Sequence, residues 1–420
     1  MTNEMKKVPE LRFPEFDGEW EEKKLGDIAI IKGRLGWKGL KNEEYVENGY
    51  AYLVAGRHIK NGIIDWHSAD QINKFRYDES PEISLEKNDI IFSKDGSLGN
   101  PAIIQSMLKP ATINGTMMLV RVQAQKLNPN FFYQILLSDH FKRLIHLKVS
   151  GSSIPHLFQA DMKEFTIKTT KIDEQQKIGE FLSKLDRQIE LEEQKLAKLE
   201  EQKKGYMQKI FSQELRFKDE NGNEYPEWED YVLGEIGFSY TGLSGKTKED
   251  FGHGNASFIT YMNVFKNTIA NINMTEKVEI KENEKQNKVN YKDILFTTSS
   301  EVPEETGMAS VWLYEKDNVY LNSFCFGFRV TSHNVNPIYL SRYLRSEKMR
   351  KQITLLSQGS TRFNISKKEV LKLNIDVPEL REQNKIVEYL SCHDSRIEGQ
   401  KNKINVLKQR KQGLLQKMFI

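Results

Sequence analysis

In two stretches of the chain, apolar residues recur in alternating steps of four and three. Ile178, Leu182, Leu185, Ile189, Leu196, Leu199, Tyr206 and Ile210 form the first series, with polar Glu192 and Lys203 on the intervening steps. Ile386, Leu390, Ile397, Ile404, Leu407, Leu414 and Met418 form the second, with His393, Gln400 and Lys411 between them. A seam of this kind over nearly five heptads predicts a pair of coiled-coil helices. At ~1.5 Å per residue, a helix of about 34 residues is roughly 50 Å long. Packed antiparallel, the two helices would hold the segments at their N-terminal ends at opposite ends of a rod. Lys203 and Lys411 would then fix register at some cost in stability. Two unrelated amphipathic helices in separate cores are the alternative, and their matching register speaks against it.

Ahead of each long helix the pattern shortens. "YAYLVAGRHI" (50–59), "DIIFS" (89–93) and "MMLVRV" (117–122) read as strands bounded by Gly, Asn and Asp. Asn128-Pro129 followed by "NFFYQILLSDHFKRLIHLKV" reads as a helix with an Asn cap and Pro in its first turn. "IYLSRYLRSEKMRKQITLL" repeats that pattern after Asn336-Pro337. The fold class expected is α+β: two pseudo-repeated α+β domains separated by the antiparallel helix pair. The expected segments are 1–172, 173–212, 213–379 and 380–420, in the order domain, helix, domain, helix.

The halves align at a spacing of 208 residues, which sets Trp20 against Trp228, Asn114 against Asn322 and Arg121 against Arg329. "DEQQKIGEFLSKLD" (173–186) answers "REQNKIVEYLSCHD" (381–394). From about Leu98 to Ser212 the register needs no gap, whereas residues 29–97 match their counterparts poorly. "EQKKGYMQKIF" (201–211) also returns at the tail as "QRKQGLLQKMF" (409–419), and "ELRF" (214–217) has already appeared at 10–13. A junction made of a tail-copy and a head-copy predicts an effectively circular arrangement, with Ile420 beside the N-terminal segment.

Composition narrows the function. At 420 residues, two or three domains are expected, and 38% hydrophobic residues suffice for packed interiors. No apolar run approaches the roughly 18 residues of a membrane span, and "MTNEMKKVPE" lacks an apolar signal core, so a cytoplasmic protein without membrane contact is expected. Cys325 and Cys392 have no partner at metal-ligand spacing, and the eight histidines form no ligating pair. No metal, phosphate-binding loop or nucleophile elbow is expected. Asn128-Pro129-Asn130-Phe131 superficially resembles an amino-methyltransferase motif, but helix-start chemistry accounts for it and for its copy. A net charge of +3 neither establishes nor excludes nucleic-acid binding.

Candidate DNA-binding residues lie mainly where the halves diverge. Lys32, Arg34 and Lys38 interleave with glycines in "IKGRLGWKGLK"; Arg57, His58 and Lys60 follow in "AGRHIKNG", and Lys94 in "SKDGSLGN". The second half offers Tyr240, Ser244, Lys246 and Lys248 in "YTGLSGKTKED", Asn263 in "YMNVFKN" and Ser299 in "FTTSSE". Gly-rich turns let amides approach phosphates, Lys and Arg neutralise them, and Arg also reads guanine edges. Solvated loops would look the same. A repeated loop, "SGSSIPHLF" (150–158) and "QGSTRFNIS" (358–366), adds Ser152, Ser153, Ser360, Thr361 and Arg362 as a phosphate clamp or, equally, as a capped structural turn.

Taken together, Trp20…Leu25-Gly26-Asp27-Ile28 with Trp228…Leu233-Gly234-Glu235-Ile236, the Gly-Ser loops, and Glu174-Gln175…Ile178 with Glu382-Gln383…Ile386 resemble the specificity subunit of Type I restriction-modification systems. The resemblance covers nearly the whole chain. It implies two target-recognition domains, each reading half of a bipartite, asymmetric double-stranded DNA target, with the helix pair setting the spacer. It also implies docking of two methyltransferase subunits carrying S-adenosylmethionine, and two restriction subunits using ATP and Mg in the full complex. No cofactor and no catalysis are then expected in this chain. A stand-alone two-domain DNA-binding protein or regulator, and an enzyme in its own right, are the competing classes.

Overall fold

The computed structural model describes residues 7–34, 42–96, 98–149 and 155–419. They pack into two units, Met1–Gln194 with Lys401–Ile420, and Lys195–Gln400.

In the first unit, β2 (Ala29–Gly33), β5 (Ile90–Ser93), β6 (Gly99–Ile103) and β8 (Met117–Val122) form an antiparallel sheet in the order β2-β8-β5-β6. A smaller sheet sets β3 (Ala51–Val54) between β4 (Asp70–Ile72) and β7 (Ala111–Ile113), parallel to the latter. β1 (Glu21–Lys24) pairs with β9 (Thr166–Thr169). The central strand β8 reads as an apolar run from Met117 to Val120, where both faces are covered. Met118 and Val120 join the core beneath α1 (Pro129–Leu137) and α2 (Asp139–Val149), while Met117 and Leu119 face the smaller sheet.

The second unit repeats these three sheets strand for strand. β11 (Gly237–Thr241), β14 (Ile294–Thr297), β15 (Ala309–Val311) and β17 (Cys325–Val330) lie in the order β11-β17-β14-β15. β12 (Phe251–Ile259) sits between β13 (Thr275–Val278) and β16 (Val319–Leu321), and β10 (Glu229–Val232) pairs with β18 (Asn374–Val377). The described residues within 29–97, poorly matched in sequence, therefore keep the sheet order of their counterparts.

Each predicted single helix is a broken pair. The Asn128 side chain caps α1 at Phe131 N (3.1 Å), but Ser138 turns extended and α2 starts afresh at Asp139. In the copy, α4 (Pro337–Tyr343) and α5 (Glu347–Leu355) are separated at Ser346, whose hydroxyl caps Met349 N. The strand expected through His58 stops at Val54, before a short turn at Gly56–His58.

The long helices are α3 (Ile172–Phe211) and α6 (Leu380–Met418), of 40 and 39 residues. In the first unit, Leu185 and Ile189 pack on Leu407 and partly buried Leu414. Ile178, Leu182 and Met418 join the globular core there, as Ile210, Ile386 and Leu390 do in the second unit. Leu199, Ile397 and Ile404 are also buried, whereas Leu196 is half-buried. Near the C-terminus Leu415, off the expected seam, is buried more fully than Leu414, because that turn also faces Trp20 and Phe131. The pairing is antiparallel within each unit: Lys411 meets Asp186 and Lys403 meets Glu192 in the first, and Lys203 meets Asp394 at 2.5 Å in the second. Lys203 and Lys411 are thus ion-paired, which offsets the cost expected of unpaired polar seam positions. No helix among the described residues is long and apolar enough to cross a membrane.

The doubled sequence motifs have structural causes. Leu25 and Leu233 are fully buried, and a Cβ on Gly26 or Gly234 would come within 3.1 Å of the Lys163 carbonyl oxygen or 3.0 Å of that of Leu371. Buried Glu174 accepts from Arg12 Nε (2.8 Å) and Nη2 (2.7 Å), and buried Glu382 accepts from Arg216 Nε (2.9 Å) and Nη2 (2.8 Å). The neighbouring glutamines cap the helix pairs: Gln175 Oε1 accepts from Asn128 N (2.9 Å) and Gln383 Oε1 from Asn336 N (2.7 Å). Arg121 and Arg329 are locked bidentately on Asp89 and Asp293.

Candidate nucleic-acid interface

In each unit, four chain segments distant in sequence are tied by the same backbone hydrogen bonds. In the first unit, Lys94 N donates to Thr116 O (2.9 Å), Leu157 N to Lys94 O (2.9 Å), and Asn114 N to Val54 O (2.9 Å). In the second, Thr298 N donates to Phe324 O (3.0 Å), Ile365 N to Thr298 O (2.9 Å), and Asn322 N to Ile259 O (3.1 Å). The asparagine side chain closes the turn in both, accepting from Thr116 N (3.1 Å) and Phe324 N (2.8 Å). A β-bridge Asp95–His156 and a short ladder of Ser299–Ser300 with Phe363–Asn364 complete the junctions. Such ties present side chains from a rigid frame, as a recognition surface requires.

The side chains on this common frame differ. Lys94 stands where the second unit has Thr298, Thr116 where it has Phe324, and His156 where it has Asn364. Lys94 lies 3.4 Å from Asp95, and His156 Nδ1 contacts the Asp95 carboxylate with its ring 4.2 Å from that of Phe158, which is 59% exposed. In the second unit Ser300 Oγ donates to Glu305 (3.1 Å), Tyr261 OH to Ser299 O (2.5 Å), and Arg362 lies over the Phe324 ring. Ser299 itself is buried, while Ser360, Thr361 and Arg362 are exposed. Lys94 in the first unit, and Ser299, the Gly-Ser loop and Arg362 in the second, therefore lie at these junctions. Thr116, His156, Phe158 and Phe324 were not legible as site residues. Their signal was a residue change inside a block whose register is otherwise kept.

Other candidates sit elsewhere. Lys38, Ser152 and Ser153 lie outside the described residues. Lys32 is half-buried on β2, and the Arg34 side chain is largely buried 4.0 Å from Glu79. Arg57 pairs with Asp70 and Lys60 with Asp65 (2.7 Å), both with outward side chains. The Lys60 bond pulls the Asp65 carboxyl down to about 2. Ser244 and Lys248 are exposed, the former held through its amide by Gln286.

Four candidates have their polar groups engaged within the protein. His58 is buried, accepts from Ala55 N (3.0 Å), and burial pushes its pKa down. Tyr240 is buried over Gly327 and donates to Asp293 (2.7 Å); burial, then the Asp293 charge, pushes its hydroxyl well up. Asn263 is buried and its amide secures Asn271 and Met274. Lys246 is buried against Glu284 and donates to Glu279 O (2.6 Å). Sequence context made these loops look open, but each polar head has found a protein partner.

The sequence profile described as the type I restriction modification DNA specificity domain matches twice, over residues 17–201 and 225–409. The chain is 24% identical over 409 residues to the type I restriction enzyme MjaVIII specificity subunit of Methanocaldococcus jannaschii, covering 94% of this chain and 89% of that protein. The fold resembles the S subunit of a type I restriction-modification system from M. genitalium, with TM-score 0.57 at 16% identity over 98% of this chain and 99% of that one. It equally resembles a chain from a structure on complex assembly and conformational transition of the type I R-M system, with TM-score 0.57 at 19% identity over 95% and 97%. With one profile match ending in each long helix, and the two together spanning most of the sequence, the chain belongs to the type I restriction-modification DNA specificity family.

Proposed function

We propose that this chain is the non-catalytic DNA-recognition subunit of a type I restriction-modification complex, each unit reading one half of a bipartite, asymmetric target. The observation that carries this is the pair of junctions: one backbone frame, built twice, bearing different side chains. A shared frame approaches two half-sites in the same manner, and different side chains read different bases. The candidates Lys32, Arg34, Arg57, Lys60, Lys94, Lys248, Ser360, Thr361 and Arg362 supply cations and hydroxyls for phosphates and base edges.

The helix pair, whose kept register contrasts with the divergent loops, would set the unread spacer and dock two methyltransferase subunits. In this reading S-adenosylmethionine is held by those partners, and ATP and Mg by two restriction subunits. The test is co-expression with the methyltransferase subunit, followed by mapping of methylated adenines in host DNA with and without this chain. A stable complex that methylates a split sequence only when this chain is present is expected. Binding of a split site without any methyltransferase partner would favour a stand-alone regulator, and methylation by this chain alone would favour an enzyme.

A further inference from the structure

In the globular part of the second unit, arginines are otherwise occupied. Arg216 and Arg329 hold buried carboxylates, Arg342 pairs with Asp394 (2.6 Å), and Arg345 and Arg350 are bound by backbone carbonyls. Arg362 differs. Its guanidinium is exposed and has no hydrogen-bond or ion-pair partner among the described residues, yet it is not adrift: it lies 5.4 Å from the centroid of the Phe324 ring.

Phe324 is a 53% exposed phenyl ring at a turn. Its backbone is fixed on both sides. Asn322 Oδ1 accepts from Phe324 N, and both Thr298 N (3.0 Å) and Thr298 Oγ1 (2.9 Å) donate to Phe324 O. The Arg362 backbone is fixed as well. Gln358 and Asn364 exchange backbone hydrogen bonds of 2.9 Å, and Gly359 adopts φ +136°, where a Cβ would lie 2.2 Å from the Arg362 carbonyl oxygen. A guanidinium held over an aromatic ring and left without a hydrogen-bond partner keeps its N–H donors free, and ordering it beforehand lowers the entropy lost on binding. Planar, paired N–H donors match guanine O6 and N7 in the major groove. The same fork also fits a phosphate, but a phosphate contact carries no base preference.

We propose that Arg362 reads a guanine in the half-site of the second unit, with Phe324 as the positioning residue that holds its guanidinium for the bidentate contact. This rests on the reading of the chain as a DNA-recognition subunit and narrows it to a base and an atom pair. The first unit has Thr116 in place of Phe324, so the device serves one half-site only.

The test uses the complex with its methyltransferase subunits and a library randomised over both half-sites. Arg362→Ala and Arg362→Lys are expected to relax one G·C position in a single half-site by about 5- to 100-fold, the worth of one bidentate pair. 7-Deazaguanine at that position should weaken the wild type and leave Arg362→Ala unaffected. Phe324→Ala should relax the same position and Phe324→Tyr restore it, whereas a merely structural ring would alter no single position. Circular dichroism verifies that each variant is folded. Undiminished discrimination by folded Arg362→Ala, relaxation at an A·T position, or indifference of the wild type to 7-deazaguanine overturns the assignment. A wild-type complex that methylates no defined sequence overturns the recognition reading itself, a distinguishable failure.

Discussion

Leu11 N donates to the carbonyl of Lys417 at 2.8 Å, joining the head of the chain to its tail. The copy of this bond, Leu215 N to Lys209 O at 2.9 Å, spans a covalent junction six residues long in the middle of the chain. Around the first, Phe419 packs on Trp20 and Phe131 with ring centroids 6.4 and 5.3 Å away. Ile420 lies outside the described residues. Non-covalent contact thus does at one end what the peptide chain does at the other.

A circular permutant that joins the native ends and opens between Ser212 and Gln213 should therefore fold. Gln213 has φ +64°, so cutting there also releases a left-handed non-glycine residue. Far-UV circular dichroism and melting should match the wild type to within a few degrees. A permutant that remains unfolded would show that the central junction needs its covalent link.

Arg216 anchors the start of the second unit to Glu382, whose side chain has no solvent exposure. Arg216→Ala leaves that carboxylate buried without its cation, and should destabilise the protein by about 3 kcal/mol. Arg216→Lys should recover only part of this, because a lysine cannot reproduce two parallel N–H bonds. Chemical denaturation of the three proteins measures both effects.

The long helices, the doubling and the strand segments of the β-sheets were legible because periodicity survives divergence. A central strand such as that over residues 117–120 must be apolar on both faces whatever its loops do. The helix break at Ser138 was not legible, since the apolar steps run on through it. Burial of Lys246 and Tyr240 was equally hidden, because their partners Glu284 and Asp293 lie 38 and 53 residues away in sequence. Phe324 carried no signal of its own in the sequence; only the fold shows that it stands exposed at a turn.

Asp394 receives Lys203 from the other helix and Arg342 from the globular core. Burial works to raise its pKa, and the Arg342 and Lys203 charges overcome this, so the carboxyl titrates below its ordinary range. A pKa lowered by folding stabilises above the unfolded value and is lost as pH falls through the folded one. The melting temperature of the wild type should therefore drop more steeply below about pH 4 than that of Asp394→Asn. Parallel curves for the two proteins would rule the pair out as an acid-sensitive contact.

Lys246 donates to Glu284 and to the Glu279 carbonyl from a nearly buried position. Lys246→Ala should cost about 2 kcal/mol of stability, the usual worth of hydrogen bonds to a charged group. Its effect on DNA discrimination should be nil at temperatures where the variant is folded. A change in the methylated sequence without a change in denaturation midpoint would return Lys246 to the DNA-reading set.

Lys94 is a cation of the first unit's junction, held through its backbone by Thr116 and Leu157 and facing, among the described residues, a weak partner at 3.4 Å in Asp95. Lys94→Ala should lower affinity of the assembled complex for DNA without touching the second half-site. If Lys94 contacts a phosphate, the slope of log affinity against log salt falls by about one and no base preference changes. If it reads a base edge, one position of the first half-site relaxes while the slope stays nearly constant. Titrations at several salt concentrations, on the cognate site and on sites altered in one half at a time, separate the two. An unchanged affinity, slope and sequence preference would remove Lys94 from the interface and leave the junction of the first unit to His156 and Phe158.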